Sequence, residues 1–380
     1  MNSKSMLGVI LAENPQAKMG ELTQYRSLAA VPVGGKYRMI DFILSNMVNS
    51  GIYSVGVTTR YNYQSLMDHI GTGKPWDLNR KQNGLFILPP YVARDNNVVE
   101  RIQGGVDVLY GALRYLRRSQ QEYALIADCN SVCNMMFNDA LEKHVENDAD
   151  ITLLYNVEDM PTCELNKHIF LNFDQENPGE LSRITNIYVH PTSKKSENVY
   201  MNMFIIRRTL LMQLIEDCVA HGEHIISKDI FIKNLSRLKI FGYRYDGNVY
   251  RIDSLPTYYA FNMGLLDKEK RDKLFSDGNI YTKVKDSVAA KYNKGAVVKN
   301  SLIADGCLIE GTVENSILSR GVHVAKGAVV RNSVLMQNSE IMENCEVDNV
   351  IFDKEVIIRT GKKLMGQSTF PVFIGKHIVV

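Results

Sequence analysis

Glycine and cationic side chains are concentrated near the amino end of the chain. Gly34 and Gly35 come directly before Lys36, and Arg26 and Arg38 lie on either side of them. The cations Arg26, Lys36 and Arg38 are candidates for binding a phosphate-bearing regulator or for contacting a partner subunit. A structural role for this stretch, at a loop-to-helix junction, is the simpler interpretation.

Cysteine and histidine side chains do not predict a metal centre. Cys129 and Cys133 have the spacing of half a zinc site, but no second Cys/His pair of matching spacing accompanies them. His221, Glu223 and His224 form a cluster in a polar loop, where such side chains are more often solvated. We expect no bound metal and reduced thiols, because six scattered cysteines are too few for a disulfide scaffold in 380 residues.

Two different hydrophobicity patterns along the chain indicate the elements that position these residues. Up to about Tyr250, short apolar runs predict strands, at 7–12, 55–59, 123–127, 151–155 and 201–206. Amphipathic stretches between them predict helices, one ending at Gly51, one over 106–116 and one over 140–145. Alternating strands and helices predict an α/β fold with a mostly parallel sheet, whose ligands bind at the carboxyl ends of the strands.

From Lys294 onward, helical periodicity disappears and a six-residue period takes its place. Small residues recur at every sixth position, and most are followed three positions later by an aliphatic residue; the small residues are Gly321, Gly327, Ser333, Ser339 and Cys345. This period predicts a parallel β-helix. Between 297 and 358 there is room for about three coils of ~18 residues, and the ends of such a solenoid need a covering surface.

The segment VPVGGKYRMIDFILSN at 31–46, continued by VNSGI at 48–52, resembles the signature of glucose-1-phosphate adenylyltransferases, the ADP-glucose pyrophosphorylases of bacteria and plants. The resemblance implies a Rossmann-like nucleotide-diphospho-sugar transferase domain at 1–253, a connecting helix and linker at 254–290, and a left-handed parallel β-helix of hexapeptide repeats at 291–380. It also implies in-line transfer between ATP and glucose 1-phosphate with Mg²⁺, which gives ADP-glucose and pyrophosphate.

Several positions to which the resemblance assigns the reaction carry unsuitable residues. Leu28 falls at the cation of the family's R-A-K-P, and His190 falls at the Lys of E-K-P. Asn130 and Arg251 fall at the metal-binding Asp residues of A-G-D-H and R-D-V-G-T. Tyr200 falls at the Ser of S-M-G-I-Y. A neutral amide and a cation are poor replacements for magnesium carboxylates. We therefore expect these positions to be degenerate, with no catalytic residue and no bound metal.

The family's glycine-rich phosphate loop is also replaced, by ENPQAKM at 13–19. This loop contains no glycine, Pro15 lacks a backbone donor, and Glu13 adds a negative charge where a triphosphate would lie. Lys18 is the one cation in the loop. A point charge on a loop of the wrong shape would not hold the triphosphate in a defined position.

Other parts of the family pattern are retained. Gly104, Gly105 and Asp107 match the adenine-side R-G-T-A-D without its Arg, and Lys228 matches the Lys of G-K-D. Together with Arg26, Gly34, Gly35, Lys36 and Arg38, these residues are the candidates for binding a nucleotide or a regulator.

The combined losses favour a non-catalytic or weakly active regulatory subunit of the GlgD type, in glycogen biosynthesis. One alternative is an active adenylyltransferase that uses Asp128, Asp253, Lys18 and Lys228 as displaced substitutes. Another is a hexapeptide-repeat acyltransferase with His323 as general base.

Composition limits the partners. Lys and Arg number 44 against 42 Asp and Glu, which argues against a nucleic-acid groove or a polybasic membrane patch. No apolar run approaches the ~18 residues that span a bilayer, and no secretory signal is evident, so we expect a cytoplasmic protein. The resemblance implies a catalytic GlgC-type partner in a heterotetramer, or a homo-oligomer alone, with magnesium in the holoenzyme and a phosphorylated metabolite as effector.

Overall fold

The computed structural model describes residues 5–13, 17, 19–59, 62–89, 104–174 and 179–380. Strands of the first part of the chain are β1 (Met6–Leu11), β2 (Pro32–Val33), β3 (Tyr37–Arg38), β4 (Ser54–Thr58), β5 (Gly84–Leu88), β6 (Tyr123–Asp128), β7 (Ser131–Val132), β8 (Ile151–Val157), β9 (Ile169–Phe173), β10 (Leu181–Val189), β11 (Asn198–Arg207), β12 (Ile240–Arg244) and β13 (Tyr250–Arg251). Helices are α1 (Met39–Asn49), α2 (Gln64–Ile70), α3 (Gly105–Gly111), α4 (Leu113–Arg118), α5 (Asn138–Glu146), α6 (Arg208–Ala220), α7 (Leu255–Gly264) and α8 (Lys268–Phe275).

Among the described residues, nine strands form one sheet in the order β5-β4-β1-β6-β11-β8-β12-β10-β9. The first four strands are parallel to one another, but β11 is antiparallel to both β6 and β8. Because β8 and β12 are parallel to each other and β10 is antiparallel to both β12 and β9, the strands that run against the rest of the sheet are β11 and β10, and the prediction of a mostly parallel sheet holds apart from these two. A parallel neighbour of β8 would need a crossover connection of about a dozen or more residues, usually a helix. In the described residues no α-helix lies between β8 and β11, which agrees with their antiparallel pairing.

Both faces of the sheet are covered, which explains why its strands are continuous apolar runs. In β1, Met6 and Ile10 pack into the core on one face, while Leu7 and Val9 pack into the core on the other. The predicted strands are all present, so the α/β class is confirmed. This arrangement places the ends of β1, β4 and β6 side by side.

Two helical segments differ from the sequence prediction. The helix predicted over 106–116 is divided at Ala112, whose N–H donates to the Leu109 carbonyl in a tight 3₁₀-type bond of 2.9 Å. The charged stretch after α7 forms the helix α8, because the Asp267 side chain caps it by accepting from the backbone N–H of Glu269 at 2.9 Å.

The carboxyl-terminal part of the chain is a three-faced parallel β-helix. Its strands are β14 (Lys291–Tyr292), β15 (Val297–Lys299), β16 (Leu302–Ile303), β17 (Leu308–Ile309), β18 (Thr312–Glu314), β19 (Ile317–Leu318), β20 (His323–Val324), β21 (Val329–Arg331), β22 (Val334–Leu335), β23 (Glu340–Ile341), β24 (Glu346–Asp348), β25 (Val350–Phe352), β26 (Ile357–Ile358), β27 (Lys363–Met365) and β28 (Val372–Ile374). Each face has five strands in the described residues, because the β-helix continues on both sides of the range 297–358 for which about three coils were predicted.

The six-residue period and the approximate coil length are both confirmed. Val313, Val330 and Val347 lie side by side on one face, so these coils span 17 residues, while the coil from Val298 to Val313 spans 15. Gly321 and Gly327 turn two corners with φ of 71° and 75°. These are left-handed conformations that glycine adopts without strain.

The two domains share an apolar core centred on α7. Phe42 of α1 and Phe261 of α7 belong to the same cluster as Ile317, Val334 and Ile351 of the β-helix. Within this contact region, Arg26 is 2% exposed and its Nη2 donates to both carboxylate oxygens of Asp353, at 2.7 and 3.0 Å. The Asp353 side chain is fully buried. The first domain is thereby joined to the β-helix by a buried, charge-assisted ion pair in which one guanidinium nitrogen contacts both carboxylate oxygens.

We expect Arg26→Met to lower the free energy of unfolding by about 3–5 kcal/mol, because it leaves the Asp353 carboxylate buried without its cation. Urea unfolding of the full chain measures the change. Arg117→Met is the matched control: Arg117 forms an exposed pair with Glu216, and its loss should cost less than about 1 kcal/mol. The double variant Arg26→Met/Asp353→Leu should recover most of the loss, and equal effects of Arg26→Met and Arg117→Met would contradict the assignment.

Candidate functional site

A cavity of about 290 Å³ lies at the carboxyl ends of β1, β4 and β6, where the fold predicts a ligand. Glu13, Asp128 and Asn202 line its polar side, and Tyr200, Phe204 and Phe231 line its apolar side. Among the described lining residues, the charged side chains are the two carboxylates Glu13 and Asp128, and none is Lys or Arg. This strand-end cavity therefore disfavours the phosphates of a nucleotide or a sugar phosphate.

Asn130, at the position of a magnesium-binding Asp, is turned into the protein. Its amide oxygen accepts from Asn202 Nδ2 at 3.4 Å and from the Ser131 hydroxyl at 3.5 Å, and its backbone N–H donates to Asp128 Oδ1 at 3.0 Å. Asp128, and not Asn130, lines the strand-end cavity. The amide is thus held in protein contacts rather than presented to a ligand.

Arg251 is the largest departure from a magnesium site. Its side chain is 7% exposed, and its guanidinium contacts Glu158 Oε2, Asn156 Oδ1 and the Val199 carbonyl. Burial lowers the pKa of Arg251, while Glu158 opposes that shift by favouring the charged form. A paired guanidinium at this position and an amide at Asn130 do not fit a magnesium ion, so no catalytic step is derived through one.

His190 supplies no permanent charge for a sugar phosphate. Its backbone has φ of 51°, and its N–H donates to the His168 carbonyl at 3.0 Å. Burial lowers the pKa of His190, and burial together with Arg251 lowers the pKa of His168 to about 4. Both imidazoles are therefore mostly neutral near pH 7.

The remaining degenerate positions are filled by apolar packing. Leu28 is buried in the shared interdomain core with Val31 and Phe42. Tyr200 is 6% exposed and stacks edge-on against Phe231, with ring centroids 5.9 Å apart. The proposed role of Lys18, like most of the loop at 13–19, falls outside the described residues.

The retained glycine motif forms a structural network with the loop before Lys228. Val106 N–H donates to the His224 carbonyl at 3.1 Å, and a Cβ on Gly104 would lie 2.0 Å from that oxygen. Asp107 contacts His224 Nδ1 at 2.8 Å. The structural interpretation of Gly104, Gly105 and Asp107 thus explains their contacts, although Gly104 and Gly105 also line the strand-end cavity.

The described members of the displaced catalytic set have different local surroundings. Asp128 lines the strand-end cavity, but exposed Lys228 lines a separate cavity beside Lys233. Asp253 accepts from the Thr257 hydroxyl at 3.2 Å at the start of α7. His323 lies on the β-helix and contacts Glu310 Oε2 at 3.1 Å.

The two metal clusters considered from the sequence have other surroundings. Among the described residues, no three His, Cys, Asp or Glu side chains are grouped to hold a metal ion. His224 contacts Asp107, and Glu223 pairs with Lys233. Cys129 and Cys133 are buried free thiols, and burial raises the pKa of both.

The amino-terminal glycines line a second cavity, of about 510 Å³, between the two domains. Gly34, Gly35 and Lys36 face Arg271 and Leu302 across it. Gly34 and Gly35 have φ of 57° and 80°, and the Gly34 N–H donates to Asn262 Oδ1 at 2.9 Å. Lys36 is exposed, so it remains a candidate for binding an anion.

Arg26 and Arg38 have different surroundings from Lys36. Arg26 is held by Asp353 in the interdomain ion pair. Arg38 contacts the Ser65 carbonyl and hydroxyl, and burial, followed by repulsion from Arg26 and Arg320, lowers its pKa to about 10. Arg38 thus belongs to a cationic region that continues into the β-helix.

That region contains a groove which sequence analysis missed. We name it the corner groove: a cavity of about 480 Å³ along one corner of the β-helix, whose charged lining residues are Lys285, Asp305, Arg320, Lys354, Glu355 and Lys376. None of its four cations forms an ion pair with a carboxylate in the described part of the chain. The Nε atom of Arg320 is buried and has no hydrogen-bond partner there. Such a cluster is suited to binding an anion.

Comparison with known proteins agrees with this architecture. Residues 7–243 match the nucleotidyl transferase family model, and residues 285–368 match the model described as GlmU-like, C-terminal hexapeptide. The left-handed β-helix expected of hexapeptide repeats is thereby supported. Within the described residues, no helix has the length and apolar character required to cross a membrane.

Similar curated proteins extend over most or all of the chain. The glycogen biosynthesis protein GlgD of Bacillus subtilis (strain 168) is 38% identical over 100% of this chain and 98% of its own length. GlgD of Geobacillus stearothermophilus is 39% identical over 87% of this chain and 84% of its own length. The glucose-1-phosphate adenylyltransferase of Clostridium perfringens (strain SM101 / Type A) is 34% identical over 87% of this chain and 84% of its own length.

We expect Gly104→Ala to destabilise the fold by about 1–3 kcal/mol, because the added methyl group collides with the backbone carbonyl of His224. Thermal or urea unfolding measures the difference. Gly179→Ala is the control, since a Cβ there meets no atom within 4 Å. If both variants unfold alike, the glycine motif does not hold this backbone contact.

Proposed function

The chain belongs to the glucose-1-phosphate adenylyltransferase family, and from this premise we propose that it is a regulatory subunit of that enzyme in glycogen biosynthesis, with little or no activity alone. Its partner in this proposal is a catalytic, GlgC-type subunit, which supplies the reaction and its magnesium ion. The names of the GlgD relatives support the assignment to glycogen biosynthesis.

The observation that carries the proposal is the Arg251 guanidinium. A family member that transfers the adenylyl group needs a carboxylate there to hold magnesium, but Arg251 is buried and paired with Glu158. The Asn130 amide and the neutral imidazole of His190 also lack the charges with which this region would bind magnesium and a sugar phosphate. Because such charge-stabilising groups act together, losing several leaves little rate above background.

A regulatory role needs a binding surface, and the corner groove is the best candidate. Its cations, together with exposed Lys36 and half-buried Arg38, favour a phosphorylated metabolite as effector. The groove lies against the interdomain contact, because the Lys354 N–H donates to Asp353 Oδ1 at 2.7 Å and Asp353 holds Arg26. An anion there would favour one arrangement of the two domains and so bias the contact with a catalytic subunit.

Pyrophosphate release from ATP, Mg²⁺ and glucose 1-phosphate tests the proposal. We expect no turnover by this chain alone, turnover by a catalytic homologue alone, and a change of about fivefold or more in the rate or half-saturation of their co-purified mixture. An unrelated protein at the same concentration is the control for non-specific effects.

Two results would reject the regulatory subunit. Clear magnesium-dependent turnover by this chain alone would favour displaced metal ligands, with Asp128 and Asp253 as the first to substitute. An unchanged rate and half-saturation in a mixture that co-purifies would leave the chain without regulatory effect.

A further inference from the structure

Two buried hydroxyl groups in the strand-end cavity have no hydrogen-bond partner among the described residues. Tyr200 is 6% exposed and Ser227 is 8% exposed, and both side chains line the cavity. Neither hydroxyl forms a hydrogen bond within the described part of the chain. Most buried polar side chains in proteins are paired, because an unpaired one keeps the cost of losing its water. The two hydroxyls therefore point to a ligand in this cavity.

Two oxygen acceptors lie on the same wall. Asp128 lines the cavity and accepts the Asn130 N–H with Oδ1 at 3.0 Å, and an ionised carboxylate has room for further donors. Asn202 donates to Asn130 with Nδ2 at 3.4 Å, so its amide oxygen is the second acceptor. Burial, followed by the negative charge of Asp128, raises the pKa of Tyr200, so the Tyr200 hydroxyl keeps its proton and can donate.

The rest of the wall is apolar. Phe204 and Phe231 line the cavity together with Ile126 and Ile169. The volume of about 290 Å³ lies at the lower end of the ~300–1,000 Å³ range that is typical of small-molecule sites. The cavity therefore suits one small ring that has apolar faces and a polar edge.

The hydrogen-bonding capacity of the polar wall distinguishes between classes of ligand. A phosphate only accepts hydrogen bonds, and the carboxylates of Asp128 and Glu13 would repel it. An ammonium group only donates, so it could pair with Asp128 but could accept nothing from Tyr200 or Ser227. A ligand hydroxyl does both, because it donates to a carboxylate or an amide oxygen and accepts from a protein hydroxyl.

We propose that the strand-end cavity binds an uncharged sugar ring that carries no phosphate group. Tyr200 and Ser227 donate to hydroxyls of the ring, Asp128 accepts from them, and the apolar faces of the ring pack against Phe204 and Phe231. The ring belongs either to a free monosaccharide or to the end of an oligosaccharide, since both present the same hydroxyls. The cavity shares no described lining residue with the corner groove, so the proposal is independent of the regulatory role.

Saturation-transfer NMR of the full chain tests the proposal, with glucose as the probe. Glucose 1-phosphate has the same ring and a phosphate, and it should displace glucose at least about tenfold less effectively, because its charge meets Asp128. Maltotriose distinguishes the two sources of the ring. Displacement of glucose by maltotriose assigns the site to the end of a chain, and failure to displace it assigns the site to a free monosaccharide.

Variants that remove single hydroxyls locate the bound sugar. Tyr200→Phe and Ser227→Ala should each weaken glucose binding about three- to tenfold, the loss expected for one hydrogen bond. Neither variant should make the chain easier to unfold in urea, because neither hydroxyl is paired within the described residues. Tyr155→Phe is the matched control: the Tyr155 hydroxyl is also buried and unpaired in the described part of the chain, but it does not line the cavity, so glucose binding should be unchanged.

Three results would overturn the inference. Absence of binding by both glucose and maltotriose at up to about 50 mM would remove the sugar site. Unchanged glucose binding in both Tyr200→Phe and Ser227→Ala would place the sugar elsewhere on the chain. Displacement by glucose 1-phosphate that is as effective as displacement by glucose itself would show that the cavity accepts a phosphate. Pyrophosphate release by the subunit mixture tests the regulatory role separately from all three.

Discussion

The ion pair between Arg26 and Asp353 is the interaction on which the arrangement of the two domains depends. Both side chains are almost completely removed from water, so neither charge can be left without the other. It crosses the boundary between a layered α/β domain and a solenoid, where the rest of the contact is apolar packing around α7. Apolar packing tolerates small shifts, whereas a buried ion pair with short hydrogen bonds fixes one relative position.

The distribution of charge in the rest of the molecule can be understood from this boundary. Arg26 takes both oxygens of Asp353, Lys354 forms no ion pair in the described residues, and the corner groove that Lys354 lines has four cations against two carboxylates. The strand-end cavity has the opposite character, with Glu13 and Asp128 on its wall. The positive surface of the corner groove and the acidic wall of the strand-end cavity thus lie at different places in the fold.

Local patterns in the sequence predicted the elements well. Apolar runs identified the strands, and the six-residue period identified the β-helix, because both patterns repeat along a few neighbouring residues. The assignment of Arg251 and Asn130 to the positions of metal ligands rests on the motif resemblance and stays a prediction. What these patterns could not show was pairing over long distances, such as the antiparallel insertion of β11 between β6 and β8.

The same limit explains why the groove was missed. Arg26 was taken as a candidate for phosphate binding, since its partner Asp353 lies 327 positions away in the chain. Arg320 and Lys354 are separated by two coils of 17 residues and lie at one corner only once the coils stack. Cations at such unequal and long intervals have no signature in a six-residue repeat.

Binding of ATP to the isolated chain, measured calorimetrically with and without Mg²⁺, tests the central claim that the family's metal site is lost. We predict that magnesium does not strengthen ATP binding; it should weaken any binding to the cationic corner groove, because it neutralises the triphosphate. ATP binding that becomes about tenfold tighter or more when magnesium is added would contradict the loss of the metal site, since it would require ligands that Arg251 and Asn130 cannot provide.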